Sequence, residues 1–166
     1  IWNTKCHKHL TASLSLKHPI VASLENVSDI TRTDLDSHAD SPVVGVNALN
    51  FETLDTTVTV KGFSPKLGSQ RVPVVNAAVA FDDIYSNTTI ILLIYNALFV
   101  KDMQNNLIPP FMMRLAQLEV NEEPKFLSKR AEKEHHSFYC PRTQIRIHFD
   151  LYGIVSYFPT RTPTLE

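Results

Sequence analysis

The hydrophobic pattern along the chain predicts a mainly β fold. The longest apolar run, TIILLIYNALFV at residues 89–100, is rich in β-branched and large apolar residues and shows no polar alternation, which is typical of strands buried on both faces. In residues 144–153, apolar and polar side chains alternate, which predicts a strand with one face in water. We therefore place residues 89–100 at the centre of the fold and residues 144–153 in a C-terminal β-hairpin extension.

A β-hairpin is predicted in the middle of the chain. Two β-rich runs, residues 57–61 and 71–81, are joined by the connection GFSPKLGSQ. Gly and Pro residues between two such runs indicate a hairpin. The tip should be exposed, and it begins with Gly62 and the aromatic Phe63.

One short helix, at about residues 110–118, is predicted to pack on the sheet. Two consecutive prolines, Pro109 and Pro110, suit the start of a helix. Apolar side chains then recur at helical spacing, which predicts a buried helix face. The residues of this face are Phe111, Met112, Leu115 and Leu118.

Length and composition fit one compact domain with extensions. The chain has 166 residues, of which 43% are hydrophobic, enough for a substantial core. Residues 1–27 are rich in His, Lys, Ser and Thr, and they predict a leader with a short strand around HPIVASLE. Residues 28–120 form the predicted domain. Residues 121–166 form a charged connector followed by the C-terminal β extension.

The charge and the cysteine content exclude several classes of partner. A formal net charge of -1 and a pI near 6.7 provide no general attraction to nucleic acid or to an anionic membrane. No window reaches the roughly 18 apolar residues that a spanning helix needs. Cys6 and Cys140 are too few for a disulfide framework and fit a reducing compartment. We therefore expect no direct nucleic-acid binding, no membrane association and a cytoplasmic location.

Candidate chemistry lies in the stretch TDLDSHADSPVVG at residues 33–45. Asp36 is followed by Ser37, and the small residue Ala39 comes before the apolar run VVGV. An aspartic protease shares one proton between two closely placed carboxylates, because like charges at contact distance cannot both ionise in a poorly solvated site. One carboxylate then activates water while the other donates a proton to the carbonyl oxygen. An Asp in a tight loop, beside a hydroxyl residue that locks the loop, meets the first requirement of this chemistry.

This stretch resembles the D-[ST]-G-A loop of retropepsins, the single-domain aspartic proteases of retroviruses and retrotransposons. Asp36, Ser37 and Ala39 match that loop, and His38 replaces its Gly. A second stretch, ALFVKDMQNNLIPPFMMRLAQLEV, looks like the segment of copia-type retrotransposon Gag-Pol polyproteins in which a strand leads into the closing helix. The two stretches occur in the expected order, and the resemblance covers roughly residues 28–166.

The resemblance implies a closed β-barrel that contributes one Asp, so that catalysis requires a symmetric homodimer in which two copies of Asp36 meet. It also implies that the Ser37 hydroxyls brace the two loops. Paired flap hairpins, with Gly62 and Phe63 in each flap, would close over an extended peptide. The implied substrate is the element's own polyprotein, cleaved in a retroelement particle in the cytoplasm. No metal or cofactor is expected.

His38 keeps a second hypothesis open. Gly in such a loop permits close backbone approach, whereas an imidazole must point to solvent or crowd the partner's Asp36. A nearby imidazolium would also favour the ionised carboxylate. The alternative is a catalytically silent retropepsin-like domain that serves as a dimerisation or peptide-binding module. Asp34 and Asp40 are interpreted as solvated turn residues, although Asp40 could pair with His38.

Two metal sites are weaker alternatives. Asp36, His38 and Asp40 stand at alternating positions and would present two carboxylates and one imidazole on one side of a strand, but they need ligands from elsewhere. CHKH at residues 6–9 and HHSFYC at residues 135–140 contain ligand atoms for zinc. Neither segment has the ligand spacing of a zinc finger, so exposed His residues in linkers are the simpler interpretation.

Overall fold

The computed structural model describes residues 11–15, 31–61, 68–129 and 132–164. These residues form a mainly β structure with one short helix, as the hydrophobic pattern predicts. The elements, in chain order, are β1 (Thr11–Ser15), β2 (Arg32–Leu35), β3 (Val43–Val44), β4 (Leu49–Lys61), β5 (Ser69–Asp83), β6 (Thr88–Phe99), β7 (Asn106–Ile108), α1 (Pro110–Leu115), β8 (Glu119–Asn121), β9 (Ser137–Cys140), β10 (Ile145–His148), β11 (Asp150–Tyr152) and β12 (Val155–Pro159).

Nine strands form one mixed sheet in the order β11-β12-β2-β7-β3-β6-β5-β4, with β1 added to β6. Strands β8, β9 and β10 form a second, antiparallel sheet. The main sheet is open along this order, because β11 and β4 stand at its two ends. An isolated bridge, with hydrogen bonds of 2.8 and 2.9 Å between Ala80 and Arg161, joins β5 to the residues that follow β12. The closed barrel that the family resemblance implies therefore remains a prediction.

Strand β7 lies between β2 and β3 and pairs with both. It runs parallel to β2, with Ile108 opposite Leu35, and antiparallel to β3, with Leu107 opposite Val43. The loop of residues 36–42 therefore crosses the end of β7 to connect β2 to β3. This crossing places the loop that contains the candidate Asp beside the chain that enters α1.

The hairpin predicted in the middle of the chain is confirmed as β4 paired with β5. Lys61 pairs with Ser69, so the connection begins at the predicted position. Its first residues, Gly62 and Phe63, lie outside the described residues. Strand β5 also pairs along its length with β6, on the side opposite β4.

Both pairings of β5 are irregular beside Asn76. The Asn76 side chain links the three strands, because its Oδ1 accepts the Asn96 N–H at 3.0 Å and its Nδ2 donates to Glu52. Asn96 has a φ of 56°, a left-handed conformation in which Asn is enriched. Such bulges bend and twist a strand locally, and the Asn76 hydrogen bonds hold the three strands together at this point.

Strand β6 is central to the main sheet, as predicted, and pairs with β5, β3 and β1. Ile90, Leu92 and Ile94 are buried, whereas the residues between them are only half-buried. The position of the apolar run is therefore confirmed, but its burial is complete on one face only.

The C-terminal segment contributes to the main hydrophobic core. Phe158 of β12 is 0% exposed, and its ring centroid lies 5.5 to 6.4 Å from those of Phe138, Phe149 and Phe81. Phe138 lies on β9, Phe149 lies between β10 and β11, and Phe81 lies on β5. The ring cluster therefore connects the two sheets. The domain boundaries expected at residues 28 and 121 remain predictions.

The alternation predicted for residues 144–153 is confirmed at residues 147–150, but Ile145 and Arg146 are both half-buried. Ile147 and Phe149 are buried, while His148 and Asp150 are exposed. The segment is nevertheless divided at Phe149, since β10 pairs with β9 in the small sheet and β11 pairs with β12 in the main sheet. One run of alternating residues therefore contributes a strand to each of the two sheets.

The helix is confirmed at Pro110–Leu115, but its predicted buried face is wrong. Met113 is 1% exposed, whereas Phe111 and Leu115 are 65% and 42% exposed. Leu118 is buried, as expected, but it follows the helix, which ends before Gln117 at a φ of 63°. A six-residue helix is shorter than two turns, so the direction in which the chain leaves β7, and not a repeated stripe, determines the face that packs.

Cys140 is a buried free thiol, and Cys6 lies outside the described residues, as does the strand expected around HPIVASLE. In the part of the chain that the structure describes, no helix has both the length and the apolar character needed to cross a bilayer.

Candidate active site

Asp36 lies directly after β2, at the start of the loop that leads to β3. Thr33 and Leu35, which precede it on β2, are buried. The Asp36 N–H donates to the carbonyl oxygen of Ile108 at 3.2 Å, which continues the parallel pairing of β2 with β7 by one residue. The Asp36 side chain is 38% exposed. The strand pairing therefore fixes the backbone of this residue while its carboxylate remains accessible from solvent.

The residues after Asp36 form a tight turn that its own side chain stabilises. Asp36 Oδ1 accepts the His38 N–H at 2.9 Å, and its carbonyl oxygen accepts the Ala39 N–H at 3.4 Å. A carboxylate that accepts a hydrogen bond from the backbone two residues later is a usual way for Asp to build a turn. The turn holds Ser37 and His38 at the exposed end of the loop.

His38 points into solvent, which is one of the two orientations expected for it; the other would crowd the carboxylate of a partner. Its side chain is 96% exposed, and its Nδ1 lies 3.9 Å from Asp36 Oδ1 and 3.4 Å from Ser37 Oγ. The charged group next to His38 is therefore that of Asp36. The alternative pairing of His38 with Asp40 is not observed among the described residues. Asp40 is exposed, as predicted.

A buried polar network supports the loop from below. Asn106 of β7 is 0% exposed; its Oδ1 accepts the Gly45 N–H at 3.0 Å, and its Nδ2 lies 3.5 Å from Thr33 Oγ1. Thr33 Oγ1 is in turn 2.9 Å from the hydroxyl of Thr160, a residue that follows β12. These bonds satisfy polar groups that would be costly to bury alone, and they tie together four separate segments around β2.

Sequence reasoning did not identify this network. Its one visible signal is the presence of Asn and Thr in short apolar strands, where polar side chains need partners. The partners come from residues more than 60 positions away in sequence, so pattern alone does not pair them.

The interpretation of Asp34 as a solvated turn residue is wrong. Asp34 is 9% exposed and lies inside β2; its Oδ1 is 2.7 Å from Arg32 Nε, and its Oδ2 accepts a hydrogen bond from Asn105 at 3.3 Å. The Arg32 guanidinium also lies over the rings of Tyr152 and Tyr157, at 4.2 and 5.2 Å from their centroids. Asp34 therefore lies on β2, two residues before Asp36, in a cluster in which its carboxylate is paired with Arg32 and Asn105.

The close approach of two segments behind the loop requires a glycine. A Cβ added to Gly45 would lie 2.0 Å from the Met103 carbonyl oxygen, and that oxygen accepts the Val46 N–H at 3.0 Å. Only a residue without a side chain permits this contact. Gly45 therefore lets the chain after β3 pack against the connection between β6 and β7.

The remaining sequence-predicted groups do not converge on this loop within the described ranges. Gly62 and Phe63 lie outside them. Among the described residues, no cluster of three or more His, Cys, Asp or Glu side chains has the arrangement of a metal site. Residues 6–9 lie outside the described part, while His135 and His136 have Ser128 and Ser156 as hydrogen-bonding partners, at 3.2 and 3.0 Å.

The loop presents the Asp36 carboxylate, accessible from solvent, on a hydrogen-bonded turn, with the exposed Asp40 four residues later. A single carboxylate can accept a proton from water, but the shared-proton reaction of an aspartic protease needs a second one at contact distance. The sequence contains one Asp-Ser-x-Ala stretch, so one chain supplies one loop of this kind. Comparison of the chain with protein-family models, with curated proteins and with solved structures finds no match.

Proposed function

We propose that this chain is an aspartic endopeptidase of a retroelement, which processes its own polyprotein as a homodimer through paired Asp36 carboxylates. The observation that carries the proposal is the placement of Asp36, whose backbone is held by Ile108 and whose side chain is 38% exposed on a tight turn. The resemblance of residues 36–39 and of the segment that leads into α1 to retropepsins supports the same reaction.

In the proposed dimer, the two Asp36 carboxylates share one proton and hold the attacking water between them. The ionised carboxylate accepts a proton from the water as its oxygen adds to the peptide carbonyl, and the other carboxylate donates its proton to the carbonyl oxygen. The tetrahedral intermediate then collapses: the C–N bond breaks, the nitrogen takes the proton that the first carboxylate received from water, and the hydroxyl proton returns to the second carboxylate. Ser37, which is exposed on the loop, is proposed to brace the partner's loop.

A retropepsin-like closed barrel belongs to the same proposal. The bridge between Ala80 and Arg161, which joins β5 to the residues after β12, supports such a closure. The β4–β5 hairpin is proposed to act as the flap, with Gly62 and Phe63 over an extended peptide. The outward orientation of His38 supports tolerance of this residue in the loop, because its side chain is 96% exposed and is not packed inside the loop.

A silent module with the same fold is the second candidate. The Asp36 carboxylate already accepts the His38 N–H at 2.9 Å, so one of its oxygens is engaged within its own loop. This hydrogen bond opposes a carboxylate that shares a proton with a partner. In this candidate the chain keeps the dimerisation or peptide-binding surface and lacks the reaction.

A tethered dimer separates these candidates and does not depend on spontaneous association. Two copies of the chain are joined by a flexible Gly/Ser linker of about 30 residues, which has an average span of about 30 Å. The wild-type dimer is compared with Asp36→Asn in one half, with Asp36→Asn in both halves, and with Asp40→Asn in both halves as the charge-matched control. Cleavage of a mixed peptide library is followed by mass spectrometry at mildly acidic and at neutral pH.

The wild-type dimer and the Asp40→Asn control should produce defined cuts. Asp36→Asn in one half should reduce the cleavage rate by about 100-fold or more, since each half supplies one member of the acid–base pair. Cleavage that persists with Asp36→Asn in both halves would refute the proposal. If the wild type is inert and His38→Gly restores cleavage, the silent module is the correct assignment.

A further inference from the structure

The hairpin of β11 and β12 ends in an apolar tip. Tyr152 pairs with Val155, so Gly153 and Ile154 form a two-residue loop. Gly153 has a φ of 62°, the left-handed conformation that such a loop needs at its first position. Ile154 is 97% exposed, the largest value among the exposed large hydrophobic residues of the described chain.

The geometry of the turn does not account for Ile154. Polar residues and Gly usually occupy a two-residue hairpin loop, because they tolerate its backbone and remain hydrated. A single exposed apolar side chain is common on protein surfaces, so its meaning depends on its location. The register of the neighbouring strands provides that location.

The tip lies beside the candidate active site. On β12, Tyr157 pairs with Asp34 of β2, and the same antiparallel register continued by two residues places Val155 opposite Asp36. Opposed Cα atoms in an antiparallel pair are about 5.5 Å apart or less, and consecutive Cα atoms are about 3.8 Å apart. The Cα atom of Ile154 therefore lies within about 10 Å of that of Asp36.

We propose that this tip, residues 152–155, is part of the surface through which two copies of the chain associate. The inference rests on the proposed function, in which one Asp36 per chain completes a dyad only when a second copy approaches at this edge. A twofold axis that brings two copies of Asp36 together passes close to both loops. Groups that neighbour Asp36 on the adjacent strand therefore face the partner.

The charges at this edge explain why an apolar contact is needed. Asp36 is accessible and Asp40 is exposed, so two copies of this edge bring carboxylates together and repel each other. Burial of apolar surface must outweigh that repulsion. Ile154 supplies such surface next to the loop on the β12 side, and Phe111, 65% exposed at the start of α1, supplies it on the β7 side.

Sedimentation equilibrium of the untethered chain tests the inference. The dimer dissociation constant is measured for the wild type, for Ile154→Lys, and for Ile84→Lys as a matched control. Ile84 is 76% exposed in the turn between β5 and β6, where Asp83 accepts hydrogen bonds from the Tyr85 N–H and the Ser86 hydroxyl. Circular dichroism verifies that both variants keep the fold, as expected for exposed positions.

Ile154→Lys should raise the dissociation constant by about 100-fold or more, because an isologous interface contains the substitution twice and each added charge is desolvated. Ile84→Lys should leave the constant within about threefold of the wild type, as substitutions at exposed positions outside an interface usually do. A wild-type chain that remains monomeric at submillimolar concentration, or equal constants for the two variants, overturns the inference.

Cleavage assays on the tethered dimer distinguish failure of the inference from failure of the proposed function. Cleavage that depends on Asp36, together with a dissociation constant that Ile154→Lys does not change, leaves the protease assignment intact and rejects the interface. If Ile154→Lys lowers cleavage of peptides without changing association, the tip contacts substrate and the inference is also rejected. Loss of association in Ile154→Lys, with no cleavage by any tethered protein, supports the interface and rejects the protease.

Discussion

Replacing Gly45 with Ala should lower the free energy of unfolding more than the same substitution at a glycine that has open space around it. A Cβ at this position would lie 2.0 Å from the Met103 carbonyl oxygen and 2.7 Å from its carbonyl carbon, whereas ordinary contacts begin at 3.4 Å. The backbone of Met103 therefore has to move by well over an ångström. A backbone carbonyl has no rotamer that relieves such a contact.

The magnitude follows from the bonds that this movement disturbs. Val46 donates its N–H to the Met103 carbonyl oxygen at 3.0 Å, and Gly45 donates its N–H to Asn106 Oδ1 at 3.0 Å. Each lost hydrogen bond costs about 1 kcal/mol, and overpacking a well-packed site costs roughly 1–3 kcal/mol. The free energy of unfolding should therefore fall by about 3–5 kcal/mol, a large part of the roughly 5–15 kcal/mol that is usual for a domain.

Urea unfolding followed by circular dichroism measures this loss, with Gly68→Ala as the control. Gly68 has a φ of 68° and no atom within 4 Å of an added Cβ, so its substitution carries only the left-handed backbone cost of about 1–2 kcal/mol. If Gly45→Ala is no more destabilising than Gly68→Ala, the close contact with Met103 is not a determinant of this fold, and the reasoning fails.

Two other changes test the core and its response to acid. Phe158→Ala removes the fully buried ring that joins the two sheets and should lower the free energy of unfolding by about 3–5 kcal/mol; a loss below about 1 kcal/mol in the same urea titration would contradict a shared core. Burial lowers the pKa of His136 from its ordinary value of 6.5, assisted by the charges of Lys125 and His148 and opposed by that of Asp150. Because the folded pKa lies below the unfolded one, the neutral imidazole contributes its full stability above pH 6.5, and this contribution is lost as the pH falls through the folded pKa. His136→Asn, which suits the φ of 54° at this position, should flatten the decline in stability between pH 7 and pH 5, and equal slopes for the two proteins would contradict the assignment.

Local pattern was sufficient for the strands that form against sequence neighbours. The punctuated runs around Gly62 predicted the β4–β5 hairpin, and the apolar run at residues 89–100 predicted a central strand, because both signals depend on residues close together in the chain. The alternation in residues 144–153 likewise predicted one wet face. Position in the chain did not reveal that this run divides at Phe149 between two sheets.

The helix face and the role of Asp34 required the tertiary structure. Phe111 fits a helical stripe as well as Met113 does, and in so short a helix the packing against the rest of the fold, not periodicity, decides which side chain is buried. Asp34 was interpreted as a solvated turn residue, yet it lies inside β2 and is 9% exposed. Arg32 and Asn105 satisfy it, and nothing in the spacing of these residues shows that β2 and β7 are neighbours.

Hydrophobic periodicity and turn chemistry are local properties, and they were enough to indicate a mainly β chain, the β4–β5 hairpin, the central strand β6 and one short helix. The tertiary structure alone decided which segments surround Asp36. The pairing of β2 with β7 and β12 and the network through Asn106 both join residues far apart in sequence. Such contacts depend on strand register and on the geometry of the assembled sheet, which a single sequence does not display.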